Sequence, residues 1–114
     1  MATMEMTTAR ADGVLVVQVI GSVDAAQAPD LQARLTALVE GGERALVVDL
    51  AALEYISSAG LRVFAHLARA VGQARGKLGL AAPQVFVKDV FVLAGFDELM
   101  DFYDTVAAAT RAVQ

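Results

Sequence analysis

The sequence predicts an α/β domain with a mixed, mostly parallel sheet of four to five strands and about four helices. Three observations predict it. Short β-branched runs alternate with segments in which leucine and valine recur at helical spacing. The helical segments between strands are long enough to serve as right-handed crossovers, which implies parallel pairing. Near the start, an Asp-Gly pair joins two strand-like runs as a hairpin and adds one antiparallel edge.

Taken in order, Thr3 to Ala9 alternates weakly and reads as an edge strand. Ala11-Asp12-Gly13 is the turn, with glycine free to take positive φ. Val14 to Ile20, "VLVVQVI", is nearly continuous and β-branched, so it reads as a strand covered on much of both faces, ended by Gly21. Pro29 suits the first turn of a helix that carries Leu31, Leu35, Leu38 and Val39 on one side and stops at Gly41-Gly42. Ala45 to Leu50 is a second buried strand, and Ala51 to Ile56 reads as a connection. A helix runs from about Ser58 to Ala74 and stops near Gly76, and Leu78 to Ala81 is a short strand. Pro83 to Ala94 is a helix closed by Gly95, with Val87, Val90 and Ala94 inward and Lys88, Asp89, Val85 and Val92 outward. Leu99 to Tyr103 is the last strand, and Asp104 is placed to cap a final helix, Thr105 to Val113. The order is β-β-α-β-α-β-α-β-α over one domain, 1–114.

Composition narrows the function. A chain of 114 residues buries about two-thirds of its unfolded surface and needs no staple. Cysteine is absent, which removes disulfides, thiolate metal sites and a cysteine nucleophile. The formal charge of −4 argues against nucleic-acid binding. No apolar run approaches the roughly 18 residues of a membrane span, so no direct membrane insertion is expected. Met1 to Arg10 lacks the pattern of a signal peptide, and a cytoplasmic location is expected.

Catalysis is poorly supported. The one histidine, His66, lies eight residues after Ser58 on the same predicted helix. That is about 12 Å at 1.5 Å per residue, against about 3 Å for a nucleophile–base hydrogen bond. Asp24, Asp49, Asp101 and Asp104 show no metal-ligand spacing and read as caps and turn residues. Gly72 to Leu78, "GQARGKL", has one residue too few for a phosphate loop, no Ser or Thr after Lys77, and follows a helix. No cofactor or metal is expected, and the chain reads as a non-enzyme.

What remains is the pair Ser57-Ser58 in "EYISSAGLRVF" (Glu54 to Phe64). Stepping 100° per residue from Ser58 puts Arg62, His66, Arg69 and Gln73 on its side of the helix, with Gly60, Phe64, Leu67 and Val71 opposite. A helix N-terminus favours an anion, and an arginine at i+4 can pair with one. Serine is also a common plain cap. The residues alone leave both readings open.

"LVVDLAALEYISSAGLRVF", with "GSVD" (Gly21 to Asp24) upstream, closely resembles the signature of STAS domains of the bacterial anti-sigma factor antagonist type. The resemblance covers essentially the whole chain and implies a STAS-like fold. It implies a non-catalytic, cytoplasmic partner switch in transcription regulation. Such a protein binds an anti-sigma factor that is also an ATP-dependent serine kinase, is released when phosphorylated, and is restored by a PP2C-type phosphatase. Carried onto this chain, the acceptor is Ser58, with Ser57 as the alternative. Asp24, Ser57, Ala59, Gly60, Leu61 and Arg62 are then partner-binding, extended by Val85 and Val92 on the later helix. Ser57 stands where many members carry Asp, and Ala59 where many carry Ser or Thr. Within the family a subunit of a lipid-trafficking transport assembly, docked on an ATPase, fits as well. A small-ligand or nucleotide-binding module is a reading from another class, and a weak homodimer is compatible with each.

Overall fold

The computed structural model describes residues 3–114. Strands β1 (Met4–Ala11) and β2 (Val14–Val23) form the expected hairpin, in register from Met4 opposite Gly21 to Ala11 opposite Val14. Its two-residue turn is Asp12-Gly13, with φ of 54° and 79°. Positive φ at both central residues gives the turn whose twist matches the flanking strands.

β2 does not end at Gly21, as expected from sequence. It continues to Val23 through a register shift between Gly21 and Ser22. Gly21 has a φ of 96°, and a Cβ there would collide with the Thr3 carbonyl oxygen. A glycine therefore bends the strand instead of stopping it. The extension matters for pairing. The first half of β2 pairs with β3 (Ala45–Asp49) and the second half with β4 (Leu53–Ile56), both parallel.

Strand β4 corrects the reading of Ala51 to Ile56 as a mere connection. Its ends, Leu53 and Ile56, are buried while Glu54 and Tyr55 between them are exposed, so it carries no period-2 signal. Asp49 turns the chain between β3 and β4, its carboxylate accepting from the Ala51 N–H at 3.0 Å. The Gly21 N–H then donates to the Ala52 carbonyl at 2.9 Å.

The remaining elements are α1 (Ala28–Glu40), α2 (Ser58–Gln73), β5 (Lys77–Ala81), α3 (Val85–Leu93), a 3-10 turn at Phe96–Glu98, β6 (Asp101–Tyr103) and α4 (Val106–Val113). The sheet has six strands in the order β1-β2-β3-β5-β6, with β4 attached to β2. Among the described residues, only the β1–β2 pair is antiparallel. The α/β class and the mostly parallel sheet are as the sequence implies, with one strand more.

Helices α1, α2 and α3 cover one face over a core that includes Leu31, Leu35, Leu46, Phe64 and Phe91. Helix α4 covers the other, where Val14, Val47, Ala81, Ala109 and Val113 meet. Each leucine, valine or phenylalanine among them contributes roughly 1.5–3 kcal/mol on full burial, so the two layers fix the sheet whose strand ends present the loops.

Three local expectations change. Thr105, not Asp104, caps α4, because Thr105 has the extended cap backbone and its Oγ1 accepts from the Ala108 N–H at 3.0 Å. Ala94 is exposed at the end of α3, while Phe91 lies inward with Val87. Leu99 is exposed ahead of β6, since the 3-10 turn uses its N–H for a bond to the Phe96 carbonyl.

Candidate functional site

Because β2 and β4 run parallel, their carboxyl ends leave the sheet side by side. Val23 is opposite Ile56, so the next residues, Asp24 and Ser57, begin two neighbouring loops. The Ser57 N–H donates to the Val23 carbonyl at 2.9 Å and holds them together. Carboxyl ends of parallel strands are where α/β sheets place their binding loops.

Asp24 is half-buried and already engaged. Its Oδ1 accepts from the N–H groups of Ala26 at 2.9 Å and Gln27 at 3.4 Å, and the Asp24 N–H donates to Gln27 Oε1 at 3.2 Å. This is the reciprocal arrangement of a capping box ahead of α1. The acidic position matched in sequence therefore has a definite local task, shaping the loop beside the serines.

The two serines are not equivalent. Ser57 has extended backbone (φ −90°, ψ 175°) and its Oγ accepts from the Gly60 N–H at 3.2 Å. It is the N-cap of α2, satisfying one of the free N–H groups of the first turn. Ser58 follows as the first helical residue and is exposed. Its hydroxyl makes no hydrogen bond among the described residues. One serine has its oxygen in use, and the other offers it to solvent.

Gly60 explains how the helix starts so close to the sheet. A Cβ there would lie 2.7 Å from Ile56 Cγ1, 3.0 Å from Val23 Cγ1 and 3.1 Å from the Val23 carbonyl oxygen. The absence of a side chain lets the first turn of α2 sit on the ends of β2 and β4. Gly60 and Leu61, expected at the partner surface, are instead buried. They support the surface from beneath. Ala59 is half-buried, and with Arg62, Ala25, Pro29 and Gln32 it lines a shallow groove of about 270 Å³ between α1 and α2.

The outward stripe of α2 is as its periodicity implies: Arg62, His66, Arg69 and Gln73 are exposed, while Phe64, Leu67 and Val71 are buried. Ser58 and His66 lie on one unbroken helix, about 12 Å apart, so they form no nucleophile–base pair.

Helix α3 lies against β4, the strand that leads into Ser57. Gln84, just before it, donates from Nε2 to the Ala51 carbonyl at 3.0 Å. Val85 and Val92 are exposed, as the helical spacing implies. Sequence reasoning missed that Phe86 and Leu93 are exposed beside them. The signal was present, because "VFVKDVFVL" has only Lys88 and Asp89 as polar residues and one inward stripe cannot absorb the rest.

A strand-end serine pair, a glycine-seated helix start and this sheet order together define a class. The STAS domain model matches residues 5–109, and the chain belongs to the STAS family. It groups with members named as anti-sigma factor antagonists. BtrV of Bordetella bronchiseptica, provisionally named an anti-sigma factor antagonist, is 39% identical over 96% of this chain and 94% of its own. The anti-sigma-F factor antagonist RsfB of Mycobacterium tuberculosis is 29% identical over 98% of this chain and 91% of its own. Among solved structures, an anti-sigma factor antagonist from Mycobacterium paratuberculosis superposes with a TM-score of 0.89 at 32% identity, over 97% of this chain and 94% of that one. Among the described residues, no helix is long and apolar enough to cross a membrane.

Proposed function

We propose that this chain is an anti-sigma factor antagonist that works by partner switching. Unphosphorylated, it binds an anti-sigma factor that is also a serine kinase; phosphorylation of Ser58 releases it, and a PP2C-type phosphatase resets it. Asp24, Ser57, Ala59 and Arg62 frame the contact, and Val85 and Val92 extend it along α3.

One observation carries the choice of acceptor. The Ser57 oxygen is held in the α2 cap, whereas the Ser58 hydroxyl is exposed and uncommitted. A kinase needs the second kind. The added phosphate brings about −1.5 to −2 charges at pH 7. An interface closed around a neutral hydroxyl would bury that charge unpaired, at about 2–5 kcal/mol. The affinity loss is then from about tenfold to a few thousandfold, sufficient to switch a complex with the domain still folded.

The test uses purified full-length chain, ATP and the anti-sigma factor kinase of its source cell, with intact-mass and binding readouts. The expected result is an 80 Da gain that persists in Ser57→Ala and disappears in Ser58→Ala. Ser58→Asp should bind that kinase at least about tenfold more weakly. Equal binding by Ser58→Asp and the unmodified chain would contradict the electrostatic switch.

A further inference from the structure

The outer face of α2 carries positive charge that the rest of the chain does not answer. Arg62, His66 and Arg69 are all exposed, at i, i+4 and i+7, and the helix holds no acidic residue. Three arginines elsewhere find partners. Arg10 reaches Glu43 at 2.7 Å, Arg34 reaches Asp30 at 3.2 Å, and Arg44 donates to the Val39 carbonyl at 2.9 Å. Among the described residues, Arg62 and Arg69 make no hydrogen bond or ion pair. Carboxylates are not scarce, since the chain has 13 acidic residues against 9 Lys and Arg. The other unpaired cations, Arg75, Lys77, Lys88 and Arg111, are scattered over a turn, β5, α3 and α4.

Both arginines lie on one side of α2, because seven residues make nearly two full turns, and about 10 Å of helix axis separates them. Carboxylates on one face of an extended chain, two or four residues apart, stand about 7 or 13 Å from each other and bracket that span. Arg62 also borders the groove between α1 and α2, where Ala59 and Pro29 offer an apolar floor to a chain lying across it.

We propose that this face docks an acidic segment of the partner protein, with Arg62 and Arg69 as its two anchoring charges. The inference rests on Ser58 being the switch position, and it adds a reason why modification there would act. A phosphate on Ser58 stands one helical turn from Arg62 and competes with the partner's carboxylates for it. A nucleic-acid strand is the weaker fit, because a chain of net charge −4 repels a polyanion around only two anchoring cations.

The test needs no knowledge of the partner. Amide spectra of the ¹⁵N-labelled full chain are recorded at low salt during titration with octaglutamate. The expected shifts cluster between Ser58 and Arg69. Arg62→Gln and Arg69→Gln should each weaken binding about two- to fivefold, as for exposed ion pairs, with unchanged thermal midpoints. Ser58→Glu should reproduce the Arg62→Gln loss, and the double variant should lose no more than either alone.

Shifts centred elsewhere, or full affinity in both arginine variants, would overturn the docking face. So would tighter binding at the same face by a single-stranded oligonucleotide or by phosphatidylserine vesicles. Full affinity in Ser58→Glu would overturn the competition for Arg62. If the arginine variants lose the peptide while a kinase never modifies Ser58, the docking face stands and the phosphorylation switch falls.

Discussion

Helices α2 and α3 lie on the same face of the sheet and touch through Phe64 and Phe91, whose rings meet edge-on with centroids 5.6 Å apart. They treat solvent in opposite ways. Helix α2 sorts its residues cleanly, with Gly60, Leu61, Val63, Phe64, Leu67 and Val71 buried and its cations outside. Helix α3 buries only Val87 and Phe91, while Phe86 and Leu93 stay 59% and 87% exposed beside Val85 and Val92. A helix apolar on nearly every side is ordinarily enclosed; this one is enclosed on one side only. The lesson is that two kinds of surface flank the serines. The face of α2 is cationic, whereas the face of α3 is largely apolar.

That contrast breaks most easily at the inner side of α3. Phe91 is fully buried and packs on Phe64, Phe96 and Phe102. Phe91→Ala should cost about 3–5 kcal/mol in urea unfolding. Leu93→Ser, two residues along the same helix, should stay within about 0.5 kcal/mol of the parent chain. Equal losses from both would mean that the outer face of α3 is structural after all.

At α2 the largest effect belongs to its seat on the sheet. Gly60→Ala forces a methyl against Ile56 and the Val23 backbone, and should destabilise by about 1–3 kcal/mol. It should also disturb the amide signals of Ser57 and Ser58. Next come the serines themselves. Ser57→Ala removes the cap bond to the Gly60 N–H and should cost about 1 kcal/mol. Ser58→Ala should change stability by less than about 0.5 kcal/mol. The reverse ranking would exchange the roles assigned to the two residues.

The smallest effect lies away from both helices. Arg10 donates two hydrogen bonds to Glu43, at 2.7 and 3.2 Å, and this bonding holds the Glu43 carboxyl below its usual range. A depressed carboxylate adds stability that is present above its unfolded pKa and lost as pH falls through the folded one. Urea midpoints of Glu43→Gln and the parent chain should therefore differ slightly at neutral pH and converge below the ordinary glutamate range. Divergence on acidification would reverse the sign of this linkage.

Much of the fold was legible along the chain. The Asp12-Gly13 turn, the leucines of α1 and the cation stripe of α2 each carry a local signal of spacing or backbone preference. The misreadings share one cause. Strand β4 has no alternation, and it becomes a strand only because Val23 lies opposite Ile56. Gly21 looks like a terminator but serves as a bulge, because β2 needs two further residues to reach that partner. Leu61 looked like part of a recognition motif, yet the tight seat of α2 turns it inward.

The serine pair shows the same division. By itself the sequence determined that two adjacent serines precede an amphipathic helix with Arg62 one turn on, since helical period depends only on neighbours in the chain. It left both serines as candidates for cap or acceptor. Only the tertiary structure decided which of them is the cap, by fixing the end of β4 on β2 so that Ser57 takes an extended backbone and caps the helix. Ser58, one residue later, enters the first turn with its hydroxyl facing water. Pairing across a sheet is a property of distant residues, and no local pattern contains it.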